Sequence, residues 1–331
     1  MADVIKTATN SDIETLKRNQ RRMSIFLKII TYIFLIFMAF IVIFPFYWMI
    51  ISSLKSFDEY HLKGDFIGRV IPTFFPTEIL WENYFLSLFG TKFENMDAFN
   101  AAVAAGENPY QYLVLGKSML TTLGMGVGST LLSVFITIFA AFAFARLQFK
   151  GRELLFSILL MTMMIPGELF TITNFETVNR LHWTYGTGGY RVYLSYVVPF
   201  LVSVFYIYLL RNNFKQIPDE LYYAAKVDGN SDFKYLLKVM IPNAKPSIIT
   251  IAILSMIGSW NAYIWPRTVS QSRDMKLVTD GLMTLFSNEV GATSDHLIMA
   301  AATVVSIPLL LAFVCFKKYI MRGVSRAGIK G

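Results

Sequence analysis

The sequence predicts an all-α polytopic membrane protein with six transmembrane helices. Three observations carry that prediction. The 331 residues are 55% hydrophobic and only 16% charged, whereas soluble domains average about 45–50% apolar and about 25% charged residues. Mean hydropathy is +0.50. The apolar residues also gather into six blocks divided by charged segments. The same figures exclude a disordered chain, which lacks enough apolar surface to bury. The blocks differ from the ~10-residue alternating segments of a membrane barrel.

The blocks follow in order. Uncharged runs cover 29–51 with 23 residues, 118–145 with 28, 192–210 with 19, 246–266 with 21 and 297–316 with 20. A helix crossing a ~30 Å hydrocarbon core needs about 20 residues, so these five suffice. The block at 154–167 has 14 residues and spans only if its apolar pattern continues past Glu168 towards Val178. The first run leads into Phe46-Tyr47-Trp48, an interfacial aromatic cluster. It is longer than a signal-peptide core and is expected to stay as an anchor. Gly124 and Gly128 form a G-x-x-x-G pattern in the second run, expected to be a close-packing face.

Lysine and arginine set the expected orientation. With both termini cytoplasmic, inside segments carry 20 Lys/Arg against 8 acids, and outside segments 10 against 14. The inside nets +12 and the outside −4, within a total of +8. This follows the positive-inside rule, so the basic excess reports topology. A nucleic-acid partner is excluded, since no soluble segment is large enough to present a basic patch. The expected organisation is a cytoplasmic tail 1–24, a six-helix domain 25–322 and a cytoplasmic tail 323–331. An outer segment 52–117, holding Pro72, Pro76, Gly106 and Pro109, is too long for a connector and is expected to fold as a small cap.

Several chemistries are excluded by residue type. Cys315 is the single cysteine, and His61, His182 and His296 are scattered, so neither a disulfide nor a metal site is expected. Gly116-Lys117-Ser118 imitates the end of a phosphate loop, but the required upstream glycine is Gln111. No ATP site is expected on this chain.

The inner loop 211–245 is the most informative segment. Pro218 suits the first helical position, Asp219 and Glu220 suit the positive end of the helix dipole, and Gly229 suits a left-handed C-terminal turn. Asn230 or Ser231 then caps a second helix, with Phe233, Leu236, Leu237 and Met240 on one face. Ile241-Pro242 is expected to end it. Spacing alone leaves two alternatives, a solvated connector or a docking element for a cytoplasmic partner.

Residue identities narrow the choice. Tyr223-Ala224-Ala225, three residues, Gly229, nine further residues and then Val239-Met240-Ile241-Pro242 resemble the EAA loop of ABC importer permeases. Pro218, Glu220 and Leu221 resemble its sugar-importer version. Met164-Ile165-Pro166-Gly167-Glu168, Ser259-Trp260-Asn261, Trp265-Pro266 and the tail Ala327-Gly328-Ile329-Lys330-Gly331 agree with it. From about residue 25 onward the chain resembles permease subunits of maltose-type carbohydrate ABC importers. The family glutamate falls on Tyr223, and Glu220, one turn earlier, offers a carboxylate on the same face.

The resemblance implies an ABC type I importer permease fold in the bacterial cytoplasmic membrane. It implies a second permease subunit, two ATP-binding cassette subunits that hold ATP and Mg, and an extracytoplasmic sugar-binding protein. It assigns Glu220, Tyr223, Ala224, Ala225, Asp228 and Gly229 to ATPase coupling. It places the C-terminal tail in the ATPase interface, where the alternative is a frayed end, and the outer loop 267–295 near the binding protein.

Polar groups inside spans are candidates for a substrate path. Glu168 and Asn174 in the third span, and Asn261 and Tyr263 in the fifth, meet that description. Amino-acid and polyamine permeases share the EAA loop, but Trp260-Asn261 and the tail favour sugar. An ion-coupled transporter would show paired intramembrane acids and internal repeats. A membrane enzyme would show a clustered catalytic constellation.

Overall fold

Helices are the regular elements of the described residues, and no strand occurs among them. The computed structural model describes residues 10–67, 73–89, 115–184, 189–270, 275–286 and 295–328. Pro72, Gly106, Pro109, Gln111 and residues 329–331 lie outside that set.

Helix α1 spans Asn10–Ser53. Its apolar stretch Lys17–Ser53 is 37 residues, none of its most apolar window buried in the chain. It starts well before the first uncharged run because Lys17, Arg18, Arg21 and Arg22 do not interrupt the helix. Short helices α2 (Phe57–Tyr60) and α3 (Glu82–Phe89) follow. In the described part of residues 52–117 they surround buried polar groups. The Asn83 amide donates to the Ser53 carbonyl at 2.9 Å and the Lys55 carbonyl at 3.0 Å. Lys55 Nζ donates to the Thr73 carbonyl at 2.6 Å, while Glu59 accepts from the Thr77 N–H at 3.0 Å. Burial holds the Lys55 amine below the ordinary lysine range, and Glu59 opposes that shift.

Helix α4 (Leu115–Ala145) is the central pillar. Lys117 sits in its first turn, as an interfacial lysine opening the second span would. The third block differs from one continuous helix. It consists of α5 (Arg152–Thr162), a 3-10 turn Gly167–Phe170 and α6 (Thr171–Arg180), with an 87° bend between the halves. Pro166 causes the break, because proline disfavours helix in the preceding residue and supplies no N–H. The fourth block is also bent, by 43°. Its parts are α7 (Val192–Val197), a 3-10 turn Val198–Phe200 containing Pro199, and α8 (Val204–Lys215). The Ser203 hydroxyl restarts the helix by accepting from the Tyr206 N–H at 3.3 Å.

The loop helix α9 covers Asp219–Val227. Pro218 is its N-cap, one position earlier than the sequence suggests, and Gly229 takes φ +72° as expected. The second loop helix does not stop at Pro242. It continues as α10 (Asp232–Trp260), a single 29-residue helix that includes the fifth span. The wide turn Leu236–Met240 is π-helical and precedes Pro242, so the ladder loosens where the missing N–H would otherwise break it. Tyr235, Leu236 and Met240 are buried, whereas Phe233 and Leu237 face outward. The π turn rotates the buried face away from the regular period. The span ends at Trp260 rather than 266, with Asn261 as C-cap.

Helices α11 (Ile264–Val269), α12 (Val278–Phe286) and α13 (Asp295–Gly328) complete the chain. Among the described residues four helices are long and apolar enough to cross a membrane, and six crossings result if each bent pair is one span. Helix α4 packs against α8, α10 and α12, and α13 packs against α1 and α10. At the loop end, Phe142, Leu210, Phe214, Leu236 and Met240 form one buried cluster.

The expected close-packing glycines are not the tight ones. A Cβ on Gly124 or Gly128 would meet nothing within 4 Å in this chain. A Cβ on Gly126 would stand 2.8 Å from Met256 Sδ on α10. Gly126→Leu should therefore overpack the α4–α10 contact and cost about 1–3 kcal/mol, while Gly124→Leu should be tolerated. Melting temperatures of the two purified variants check this; equal melting would place the contact elsewhere.

Candidate functional site

Two places on the helical frame gather functional side chains. One is the loop end. Asp219, in the first turn of α9, pairs with Arg146 at the end of α4, and the same guanidinium reaches the Phe214 carbonyl at 3.0 Å and also the Ile217 carbonyl. Behind it, Nη2 of the buried Arg211 donates to both Glu153 carboxylate oxygens at 2.6 and 2.7 Å, Nε donates to the Phe144 carbonyl at 3.0 Å, and the guanidinium stacks over Phe156 at 3.8 Å. A planar guanidinium held by a carboxylate, a carbonyl and an aromatic face is fixed in orientation as well as in charge.

Asp232 opens α10 and ties α9 down. It accepts from Tyr222 Oη at 2.9 Å and pairs with Lys226 Nζ at 2.8 Å. The Asp232 hydrogen bond raises the Lys226 amine above its ordinary range, and burial followed by the same aspartate raises the Tyr222 phenol. Of the coupling candidates, Glu220, Tyr223, Ala224, Asp228 and Gly229 are exposed. Ala225 is buried in the loop-end cluster and acts as a packing residue in this chain. Val227, 88% exposed, shares the outer surface and was not among the expected residues.

The second place is a cavity of about 580 Å³ between α4, the fourth-span pair and α10. Ser129 and Ser133 line it from α4, Ser255 and Ser259 from α10, and Ser203 and Tyr206 from the start of α8. The break after Trp260 adds Asn261, Tyr263 and Trp265. Hydroxyls also join the walls: Ser129 meets Ser259 at 3.2 Å, and Thr130 donates to Ser255 at 3.1 Å. Contacts of this kind between membrane helices contribute about 0.6–2 kcal/mol each. The Ser133 hydroxyl is buried without a hydrogen-bond partner among the described residues.

The broken corner beside the cavity is held by side chains. Trp260 Nε1 donates to the Val305 carbonyl at 3.2 Å, and Trp265 Nε1 to the Ser195 carbonyl at 2.8 Å. Thr279 Oγ1 donates to the Trp260 carbonyl at 2.7 Å, and Thr122 Oγ1 accepts from the Val278 N–H at 2.8 Å. Asp280 on α12 is buried, with Arg267 at 3.6 Å. Burial raises its carboxyl above the usual range, and Lys276 and Arg267 counteract.

The structure divides the four path candidates. Asn261 and Tyr263 line the cavity. Glu168, exposed, and Asn174, half-buried, lie on the bent third block and are absent from that lining. The serines were missed because single hydroxyls in an apolar run read as tolerated polarity. Their i, i+4 spacing, at Ser129/Ser133 and Ser255/Ser259, is the signal that marks one face.

Residues 133–326 match the family described as binding-protein-dependent transport system inner membrane component. The chain is similar to the arabinooligosaccharides transport system permease protein of Halalkalibacterium halodurans, at 27% identity over 89% of this chain and 94% of that protein. It is also similar to the diacetylchitobiose uptake system permease protein of Streptomyces coelicolor, at 26% identity over 90% and 87%. Its fold is shared with a crystal structure of a bacterial ABC transporter involved in import of the acidic polysaccharide alginate. That match has a TM-score of 0.70 at 21% identity and covers 90% of this chain and 98% of the other.

Replacing Asp232 by Asn should free α9, because both Tyr222 and Lys226 lose their charged partner. Limited trypsinolysis should then cut after the exposed Lys226 severalfold faster than in the parent. An unchanged rate would show that the apolar cluster alone holds α9.

Proposed function

The chain belongs to the family of binding-protein-dependent transport system inner membrane components, and from that premise we propose that it is a permease subunit of an ATP-driven sugar or oligosaccharide importer. Its similarity to permeases named for arabinooligosaccharides and diacetylchitobiose supports the substrate class. Its proposed partners are a second permease, two ATP-binding cassette subunits that bind ATP and Mg, and an extracytoplasmic sugar-binding protein. The bias of Lys and Arg supports placing the loop end and both termini in the cytoplasm.

One observation carries the mechanism: the loop helix and the cavity share a rigid element. Helix α9 is bound through Tyr222 and Lys226 to Asp232, the first residue of α10. The same helix carries Ser255 and Ser259 on the cavity wall. At 1.5 Å per residue, Ser255 lies about 35 Å along α10 from Asp232. A push on the exposed face of α9 therefore moves a wall of the cavity as a body, which is how small displacements at one site reach another. Glu220, Tyr223, Ala224, Asp228 and Gly229 form the surface that receives the push. Tyr223 presents an aromatic ring there, and Glu220 provides the carboxylate. Asn261 and Tyr263 line the solute path in this reading.

Two experiments test this. A residue other than glycine at φ +72° costs about 1–2 kcal/mol and tilts the end of α9. Gly229→Val should lower solute-stimulated ATP hydrolysis and uptake about tenfold or more, with the complex still assembled. Unchanged coupling would remove Gly229 from the contact. Purification of the tagged chain from its native membrane should bring down an ATPase subunit; repeated failure to do so would reject the importer assignment.

A further inference from the structure

Helix α1 is longer than a bilayer needs. Its 44 residues measure about 66 Å at about 1.5 Å each, against a hydrocarbon core of about 30 Å. The uncharged run 29–51 is long enough to fill that core, and the stretch 10–28 precedes it as unbroken helix. That stretch is basic on one side. The charged residues between 17 and 28 are Lys17, Arg18, Arg21, Arg22 and Lys28, with no acid among them. At about 100° per residue all five fall within a sector of about 140°, shared only with Ile25. Met23, Phe26 and Leu27 lie on the other side, each more than half exposed. The five cations are exposed as well, and none pairs with a carboxylate among the described residues.

Membrane orientation does not require this arrangement. The positive-inside bias counts cations and is indifferent to their helical phase, whereas a phased stripe presents all its charge to one side. Depth along the helix agrees with a headgroup contact. Lys28 adjoins the hydrocarbon boundary. Arg21 and Arg22 stand about 10–12 Å along the axis from Ile29, and Lys17 and Arg18 about 16–18 Å. The headgroup layer occupies about 5–8 Å on each side of the core, and the Debye length at physiological salt is about 8 Å. The inner three cations therefore reach lipid phosphates, and the outer two still feel the surface potential. A cluster of about four to eight Lys or Arg directly beside a membrane helix is the pattern that anionic lipid selects.

We infer that the basic side of α1 between Lys17 and Lys28 is a binding surface for anionic phospholipid headgroups of the inner leaflet. The inference rests on the cytoplasmic placement of the N-terminus in the importer reading above. None of the most apolar window of α1 is buried in the chain, so internal packing leaves the rotation and tilt of that span weakly defined. Headgroups gathered along one side of the helix fix both, because interfacial Lys and Arg are the anchors that set them. The test uses the assembled complex in nanodiscs of phosphatidylcholine. A small fraction of photoactivatable lipid is added, either phosphatidylglycerol or phosphatidylcholine with the cross-linker at the same position. Cross-links to residues 17–28 are mapped by peptide mass spectrometry.

Phosphatidylglycerol should label this stretch at least about fivefold more than phosphatidylcholine, the factor expected for even one cation beside an anionic surface. Replacing Lys17, Arg18, Arg21 and Arg22 together by Gln should bring the ratio close to one. A second variant keeps the charge and breaks the phase: Arg18→Gln and Arg22→Gln with Asn19→Arg and Met23→Arg. Its ratio should fall by half or more; an unchanged ratio would overturn the stripe and leave only net charge. Equal labelling by the two lipids on the parent overturns the inference, and that comparison decides the question even if a variant fails to insert. Inorganic phosphate that abolishes the bias, where chloride of equal ionic strength does not, overturns the lipid as the ligand in favour of free phosphate. Protease added to intact cells tests the topology separately. Cleavage within 17–28 from outside would overturn the cytoplasmic placement, whereas protection with equal labelling overturns the lipid surface alone.

Discussion

A membrane helix can be broken only where something other than lipid takes up the backbone groups that the break releases. This chain breaks its spans repeatedly, and the neighbourhood of each break determines what that region can do. At the break after Trp260 the Thr279 hydroxyl takes up the Trp260 carbonyl, and two indole N–H groups and the Thr122 hydroxyl tie the corner to the backbone of neighbouring helices. At 201–203 the hydroxyl of Ser203 restarts the helix. These two breaks border the same cavity. At these two breaks the irregular backbone faces protein and a polar space, whereas the 87° break at Pro166 lies among exposed residues. The proline at 242 is handled differently, inside a continuous helix by a π turn, so stiffness is preserved along the one element that joins the loop to the cavity.

The loop end shows how charge is used within an apolar frame. Arg146 and Arg211 are largely buried, yet each is directed at a carboxylate and at main-chain carbonyls. Such pairs are weak as net sources of stability but strong in fixing geometry. They hold the ends of α4, α5 and α8 in one arrangement, and α9 sits on that arrangement through Asp219. The exposed surface of α9 is therefore presented by a rigid base, although the helix is only nine residues long.

Much of this was legible in the sequence, for physical reasons that differ by element. Long uncharged blocks announced the spans because hydrocarbon admits few other patterns. Gly229 announced its left-handed turn because few residues tolerate that conformation. Pro242 misled because proline is a local signal, and its effect depends on whether the preceding turn can widen. Glu168 and Asn174 lie away from the cavity that Asn261 and Tyr263 line, because polarity within a block says nothing about which way a bent helix turns. Ala225 belongs to the motif by sequence, and helical phase turns its methyl group into the loop-end cluster. Gly126 was hidden behind the more regular Gly124 and Gly128, since spacing gives a pattern and only the partner helix decides which gap is filled.

The placement of α1 has a consequence for where hydrocarbon meets the chain. Its main helical neighbour among the described elements is α13, and Tyr47 and Trp48 meet Phe74 beside it. None of its most apolar window is buried within the chain. Most of its flank is left to lipid or to another subunit, so substitutions there change the chain's partition into the bilayer more than its internal packing.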